Sequence, residues 1–489
     1  MTLGLRTLHN SALVIGARLV SKVLVFVVVI LVIRSTGVNG YGQFTALVVY
    51  ATIVGMVVDL GLRPLFTRDV ARDRRLLTPY LNSILSLKVV LLLPALAILA
   101  GALALGLPAL TPYVWPAFAL LAASSFANQL RATFYAIGRL RYEAISIVGE
   151  SIVLLLAATL MVLLRLPWWS FLWAYALSYT FTTVYAAVVA VTRLGHTFRF
   201  DLDSRRLAAL GRQSLPFGLT FVISTLYFRI DVPILQAFAG FAAVGLYSAA
   251  YKFVDAIAFI PQAMMDPVFP ALATLSHRDP DELAAAALKS LKMLAAVGLP
   301  LSAAFIVLAA PIIDFTIPRF GAAVPVLRVL GVGAFLLFAN NAFIYTLNAM
   351  GRQRDATRLA AISLVLNVAL NLILIPLPNH LIGGYMGAAW ATILTEAGLF
   401  AGGWYILRRR LGDLPVVATV RGVVPAGIAT GLVMWAVVAT VPNPWIAFVL
   451  AAVLGVAVYL GGLLLLRAFS QDELDLARET ARGLLRRSA

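Results

Sequence analysis

Residues 89–107 read VVLLLPALAILAGALALGL, without one charged side chain. Wound as an α-helix at about 1.5 Å per residue, the stretch is roughly 28 Å long, close to the ~30 Å hydrocarbon thickness of a bilayer. Two further runs, VLVFVVVILVI at 23–33 and AFVLAAVLGVAVYLGGLLLL at 447–466, are of the same kind. The apolar character is chain-wide: 62% of the 489 residues are hydrophobic and 12% are charged, with a mean hydropathy of +0.95. Soluble domains carry about a quarter charged residues, so the composition predicts an all-α bundle of membrane-spanning helices. A spanning β-barrel is excluded, because barrel strands alternate over about ten residues and these runs are continuous and longer.

Working outward from these runs, spans are expected near 10–33, 41–62, 80–106, 113–136, 144–165, 168–192, 213–238, 243–270, 286–310, 323–348, 356–376, 383–407, 418–441 and 445–467. Basic clusters at Arg63–Arg75, Arg139 and Arg141, Arg193–Arg212, Arg278–Lys292, Arg352–Arg358 and Arg408–Arg421 all fall on one side of that path; Arg34, Arg165 and Arg319 fall on the other. By the positive-inside rule the first side is cytoplasmic, and fourteen spans leave both termini there. The net charge of +17 is therefore topological and no footprint for nucleic acid. Arg18 and Lys22 interrupt the first run and no small-residue cleavage pattern follows, so the segment reads as a retained helix of an inner-membrane protein.

The sequence repeats itself. Phe126-Ala127-Asn128 followed by Gly138-Arg139-Leu140-Arg141 recurs as Phe338-Ala339-Asn340 followed by Gly351-Arg352-Gln353-Arg354, and Arg193-Leu194-Gly195 recurs as Arg410-Leu411-Gly412. Two six-helix lobes are implied, and an even helix number gives both the same orientation, related by a pseudo-twofold along the membrane normal with a cavity between them. The expected division is an N-lobe at 1–195, a basic linker at 196–212, a C-lobe at 213–412, two further helices within 413–467 and a tail at 468–489. The linker, with Phe198, Phe200, Leu207 and Leu210 among its charges, reads as an interfacial amphipathic segment or a solvated loop. In the tail, Ser470 precedes Asp472 and Glu473, and Leu476, Leu484 and Leu485 alternate with arginines, the pattern of an amphipathic helix on anionic lipid.

With no cysteine, thiolate chemistry and disulfides are excluded. His9, His196, His277 and His380 lie in separate segments without ligand spacing, so no transition-metal site is expected. An ionisable group deep in a span costs at least ~2.5 kcal/mol and needs an interior partner or a wet cavity. Lys88, Arg131 and Arg328 lie near enough to span ends for their stems to reach an interface. Arg18 and Lys22, four apart, share one face of the first span. They form either an anion-binding stripe or an ion pair with an acid such as Asp59 or Glu150. Arg229 lies in the seventh span, and Lys252 in the eighth with Asp255 three residues on as an alternative partner. Arg18, Lys22, Arg229 and Lys252 together would suit a pyrophosphate head group better than a cationic drug. Asn367 and Asn371, four apart in the eleventh span, either bond between helices or join an oxygen cage for a monovalent cation.

Motifs along nearly the whole chain resemble the bacterial polysaccharide flippases. In the first half these are Gly40-Tyr41-Gly42, Asp59-Leu60-Gly61-Leu62, Arg229-Ile230-Asp231 and Tyr247-Ser248-Ala249-Ala250-Tyr251-Lys252. In the second they are Ile317-Pro318-Arg319-Phe320-Gly321, Leu347-Asn348-Ala349-Met350-Gly351-Arg352, Asn367 to Asn371, and Gly387-Ala388-Ala389-Trp390-Ala391-Thr392 with Glu396. The broader superfamily holds the lipid II flippases and the multidrug exporters. The resemblance implies a two-lobed, alternating-access carrier that takes undecaprenyl-pyrophosphate-linked oligosaccharide from the inner to the outer leaflet for polysaccharide or cell-envelope synthesis. Exporters usually have twelve helices, and in lipid II flippases the last two of fourteen help form a groove for the lipid tail. The resemblance also implies a sodium site at Asp231, Asn367, Asn371 and Thr392, departing from the lipid II flippases at Asn371, where an acid is expected. Coupling to Na+ or H+ or to membrane potential is the expected energy source, and no other cofactor is expected. The arginine-rich first-helix signature of the lipid II flippases is not reproduced, which favours a polysaccharide repeat unit over lipid II.

A membrane glycosyltransferase or polymerase would need ionisable groups on the outer face, where the loops offer almost none; the chain is expected not to be an enzyme. An organic-cation exporter would need a cavity dominated by acids. The expected partners are the lipid-linked oligosaccharide, membrane lipids, and a functional link to polysaccharide glycosyltransferases and polymerase, with the carrier itself a monomer.

Overall fold

A computed structural model describes residues 3–201 and 203–469. Helix makes up 87% of it, and no strand occurs among the described residues, so the expected all-α class is met. Eleven helical stretches among the described residues are long and apolar enough to cross a bilayer. Two are too long for a single crossing: Val14–Asp59 has 46 residues and Ser204–Met265 has 62, against the ~20 that one span needs. Each is broken at a glycine whose backbone only glycine adopts readily, Gly37 at φ 69°, ψ 178° and Gly240 at φ 77°, ψ −178°. Counting each as a pair, and adding the 28-residue helix Gly384–Leu411, gives the fourteen spans expected. Ser470 onward, and with it the expected tail helix, lies outside the described residues.

Packing divides the chain into two units, Met1–Lys252 with Asn367–Ala388, and Phe253–Leu366 with Ala389–Ala489. The first contains α1 (Leu3–Asp59), α2 (Leu62–Arg72), α3 (Leu77–Gly106), α4 (Val114–Ala136), α5 (Leu140–Leu163), α6 (Ser170–Leu194), α7 (Ser204–Arg229) and most of α8 (Asp231–Ile257). The second contains α9 (Phe259–Met265), α10 (Phe269–Leu275), α11 (Pro280–Val307), α12 (Ala309–Thr316), α13 (Val324–Ala349), the start of α14 (Gln353–Leu374), most of α15 (Gly384–Leu411), α16 (Val416–Val420), α17 (Val423–Thr440) and α18 (Pro444–Leu465). The eighth span, expected to run to 270, gives way after Ile257 to the short α9 and α10.

α2 is amphipathic: Leu62, Leu65, Phe66 and Val70 are buried at the i, i+3, i+4 spacing of one helix face, while Arg63 and Arg72 stay out. Their core partners are Leu81, Ile84, Leu130, Phe134 and Val189 on α3, α4 and α6. In the second unit Leu291 and Leu294 of α11, Phe338 and Phe343 of α13 and Leu407 of α15 build the matching core.

Two close approaches bind α1 to α8 within the first unit. A Cβ placed on Gly42 would lie 1.8 Å from the carbonyl oxygen of Phe241, and one on Gly245 would lie 2.1 Å from that of Val38. The contact is reciprocal, because Gly42 stands after Gly37 and Val38 as Gly245 stands after Gly240 and Phe241. Backbone meets backbone there because neither glycine has a side chain to hold the helices apart.

The internal repeat reappears as local geometry. Leu107 (φ −143°, ψ 61°) and Ile317 (φ −143°, ψ 63°) each precede a 3₁₀ segment, Pro108–Tyr113 and Pro318–Ala323. α4 and α13 end alike, with Arg139 N–H bonded to Phe134 O and Arg352 N–H to Leu347 O, both at 2.9 Å, beyond left-handed Gly138 and Gly351.

The basic segment after α6 packs in an extended conformation along a polar stripe of α3. His196 Nδ1 meets Thr78 Oγ1 at 3.2 Å, Asn82 Nδ2 donates to Thr197 O at 2.9 Å, Ser83 Oγ donates to Asp201, and Asp201 N–H donates to Ser86 Oγ at 2.9 Å. Burial pushes the His196 imidazole below its ordinary range, and the Ser83 hydroxyl holds the Asp201 carboxyl below the usual carboxylate range. Asp203 then caps α7 through the N–H groups of Arg205 and Arg206, so residues 204–212 are the first turns of the seventh span's helix.

Candidate functional site

Four polar clusters interrupt the apolar interior of the first unit. In the first, Lys88 on α3 is buried to 1% and its Nζ donates to Asp59 Oδ1 at 2.5 Å and to Ser125 Oγ at 2.7 Å, while Ser125 also donates to Asp59 at 2.6 Å. This overturns the expectation that Lys88 reaches an interface. An ammonium this deep needs a carboxylate and hydrogen-bond partners to offset desolvation, and α1 and α4 supply them.

In the second cluster Arg131 on α4 pairs with Glu150 on α5, Thr182 on α6 donates to the same carboxylate at 2.6 Å, and Arg131 Nη2 lies 3.4 Å from Thr182 Oγ1. Arg131 is therefore held inside and does not extend to an interface; Arg328 is exposed, as its position suggested. Arg131, Glu150 and Arg229 all act electrostatically on the buried Tyr179 of α6.

The third is the pair Arg18–Glu143 at 3.2 Å, with the Arg18 side chain 58% exposed and that of Glu143 at 6%. Beside it Ser21 and Ser151 share a 2.6 Å hydrogen bond between α1 and α5. The acids named from sequence as partners for Arg18 and Lys22, Asp59 and Glu150, serve Lys88 and Arg131 instead. Lys22 is exposed and Arg229 and Lys252 are half-buried. Of the four expected head-group residues, Arg229 lies within electrostatic range of Tyr179 and Arg18 is bonded to Glu143.

The fourth cluster joins Asp231, Asn367 and Asn371, at 6%, 3% and 0% exposure. Asn371 Nδ2 donates to Asp231 Oδ1 at 3.0 Å and to Asn367 Oδ1 and O at 3.0 and 2.9 Å, and Tyr247 donates to Asp231 Oδ2 at 2.8 Å. Asn371 Oδ1 is buried without a hydrogen-bond partner. Three of the four expected cation ligands are together; Thr392 lies on α15 in the second unit. One carboxylate and two amide carbonyls, one of them unsatisfied, suit a hard monovalent cation in kind. An amide at 371 also does what an ionised carboxylate there could not: its N–H donates to Asp231.

In the second unit, Asn340 Nδ2 donates to Glu396 Oε2 at 2.7 Å and to its carbonyl at 3.1 Å. The sequence held Asn340 in the repeat and Glu396 in the twelfth span, but no spacing pairs them.

Residues 7–276 match the family described as polysaccharide biosynthesis protein, and residues 216–373 match the MatE family. No curated protein matches the chain. The fold is similar to that of a solved "Lipid II flippase MurJ, inward closed conformation", with a TM-score of 0.71 at 14% identity over 93% of this chain and 99% of that one. It is also similar to inward-facing and outward-facing multidrug resistance MATE family transporters of the MOP superfamily. These give TM-scores of 0.62 and 0.56 at 16% and 17% identity, covering 80% and 84% of this chain and 95% and 96% of theirs. The fourteen-span path, the repeated helix ends and the match over more than half of its length agree: the chain belongs to the polysaccharide biosynthesis protein family.

Proposed function

We propose that the protein carries an undecaprenyl-pyrophosphate-linked oligosaccharide from the cytoplasmic to the outer leaflet of the inner membrane, with both termini in the cytoplasm. The observation that carries this reading is the presence of two guanidiniums, Arg131 and Arg229, within electrostatic range of Tyr179, with Arg131 paired to Glu150. A net positive interior favours an anionic head group, and a guanidinium can grip phosphate oxygens in bidentate fashion. Lys22, exposed on α1, and Lys252 add to the same field, and Arg18 keeps much of its surface open while bonded to Glu143.

Each negative charge moved outward gains about 2.3 kcal/mol per 100 mV of inside-negative potential, so potential alone can bias the direction. Asp231, Asn367 and Asn371 would hold a sodium ion, which supplies a positive charge against the Asp231 carboxylate; a proton on that carboxylate is the alternative. The protein works as a monomer, upstream of the polymerase and downstream of the glycosyltransferases that build the repeat unit.

The test is flipping of a fluorescent undecaprenyl-pyrophosphate oligosaccharide in liposomes, read by an impermeant quencher, with and without potential and with Na+ replaced by K+. Arg229→Ala is expected to lower the rate at least roughly tenfold, the loss of one charge-assisted contact, and Arg229→Lys to lower it less. Wild-type rates in Arg229→Ala and Arg18→Ala would sink the head-group site, and efflux of organic cations without lipid transfer would move the protein to the exporter branch.

A further inference from the structure

A second basic feature lies in the second unit. A cavity of about 560 Å³ opens where α11, α17 and α18 meet; among the described residues its charged lining is Lys289, Lys292, Arg421 and Arg467, with Lys292 Nζ 4.8 Å from the centre of the Phe469 ring. All four stand on the side that the positive-inside pattern makes cytoplasmic. Arg421 precedes the apolar α17 and Arg467 follows the apolar α18, so both sit where hydrocarbon gives way to water.

The cavity has a built floor. Arg467 turns the chain with a left-handed backbone, φ 45°, and so brings Ala468 onto Gly422, where an added Cβ would meet Ala468 Cα at 2.9 Å. Gly422 is also the N-cap of α17 and offers no side-chain cap. The N-terminus of an eighteen-residue helix therefore adjoins the basic lining through Gly422, a combination suited to a phosphate. Next in sequence to the lining residues Ala418 and Leu466, Val417 and Leu465 are 82% and 86% exposed, apolar surface that lipid chains would cover.

We propose that this basin binds the phosphate of an anionic phospholipid of the inner leaflet, with its acyl chains lying along α17 and α18. Zwitterionic lipid fits less well, because its own ammonium would meet four cations. The site would fix the inner-leaflet end of these two helices, and it stands independently of the transported substrate.

The test uses the full-length protein in neutral detergent. Thermal unfolding is followed while phosphatidylglycerol, phosphatidylcholine or free glycerol phosphate is added, for the wild type, for Lys289→Gln/Arg421→Gln/Arg467→Gln, and for Arg354→Gln/Arg358→Gln as a basic surface control. Phosphatidylglycerol is expected to raise the wild-type and control Tm, and the triple variant is expected to need at least roughly tenfold more lipid for the same rise. An undiminished response in the triple variant, an equal response to phosphatidylcholine, or an equal response to glycerol phosphate overturns the proposal. A second measurement needs no variant: phosphatidylglycerol with a photoreactive head group is expected to label peptides containing residues 416–422 or 464–469, and labelling confined to other segments overturns it.

Discussion

At Lys88 an ammonium with a side chain 2% exposed is held by one carboxylate and one hydroxyl, Asp59 and Ser125. Removing Asp59 would leave the charge buried and uncompensated, whereas removing both charges would leave a packing change only. Asp59→Ala is therefore expected to destabilise the protein by roughly 3 kcal/mol, the low end for an orphaned buried charge, because the Asp59 side chain is 28% exposed. Asp59→Ala/Lys88→Met is expected to recover most of that loss in thermal unfolding; an equal loss in both variants would show that Asp59 acts through something other than Lys88. The sequence displayed every member of this cluster but not the pairing. Lys88 is about two turns inside the expected span, where snorkelling and burial compete closely, and the rotation of α3 against α1 and α4 decides between them. The packing of α5 against α1 and α4 likewise gave Glu150 to Arg131 and left Glu143, unremarked in sequence, to Arg18. The amide cluster was more legible, since Asn367 and Asn371 share a helix face by spacing alone; the bond to Asp231 needed the fold.

Among elements, the seam between α1 and α8 is set by what is missing from Gly42 and Gly245. Gly42→Ala and Gly245→Ala each force a Cβ to within 1.8 and 2.1 Å of a carbonyl oxygen, so each is expected to cost about 1–3 kcal/mol through displaced backbone. Gly101→Ala, with nothing within 4 Å, is expected to be neutral by the same thermal measurement; equal effects at all three would mean that the seam is not tight. Helix number, order and approximate limits followed from apolar runs and basic loops. Two limits did not. Residues 204–212 carry too many arginines to read as part of a span, yet Asp203 caps a helix that starts there, and the extended segment before it finds its hydrogen bonds on Thr78, Asn82, Ser83 and Ser86. Those polar residues at the head of α3 were the available signal for a docked chain.

For the molecule as a whole, orientation rests on the charge distribution, and a chain without cysteine invites a direct check. Arg165→Cys is expected to react with an impermeant maleimide in intact cells and Arg354→Cys only after permeabilisation; the reverse pattern would invert the topology. The repeat was legible at this scale as well, in motifs whose local geometry recurs at Leu107 and Ile317 and at Gly138 and Gly351. Packing cuts across chain order in one place, since Asn367–Ala388 belongs with the first unit. That has a consequence for biosynthesis. While the ribosome is still making residues 253–366, Asp231 is already in the membrane but its amide partner Asn371 does not yet exist, so the first unit waits, incomplete, for a late strip of nascent chain. Insertion proceeds from N- to C-terminus; final packing of the oldest helices comes near the end of translation.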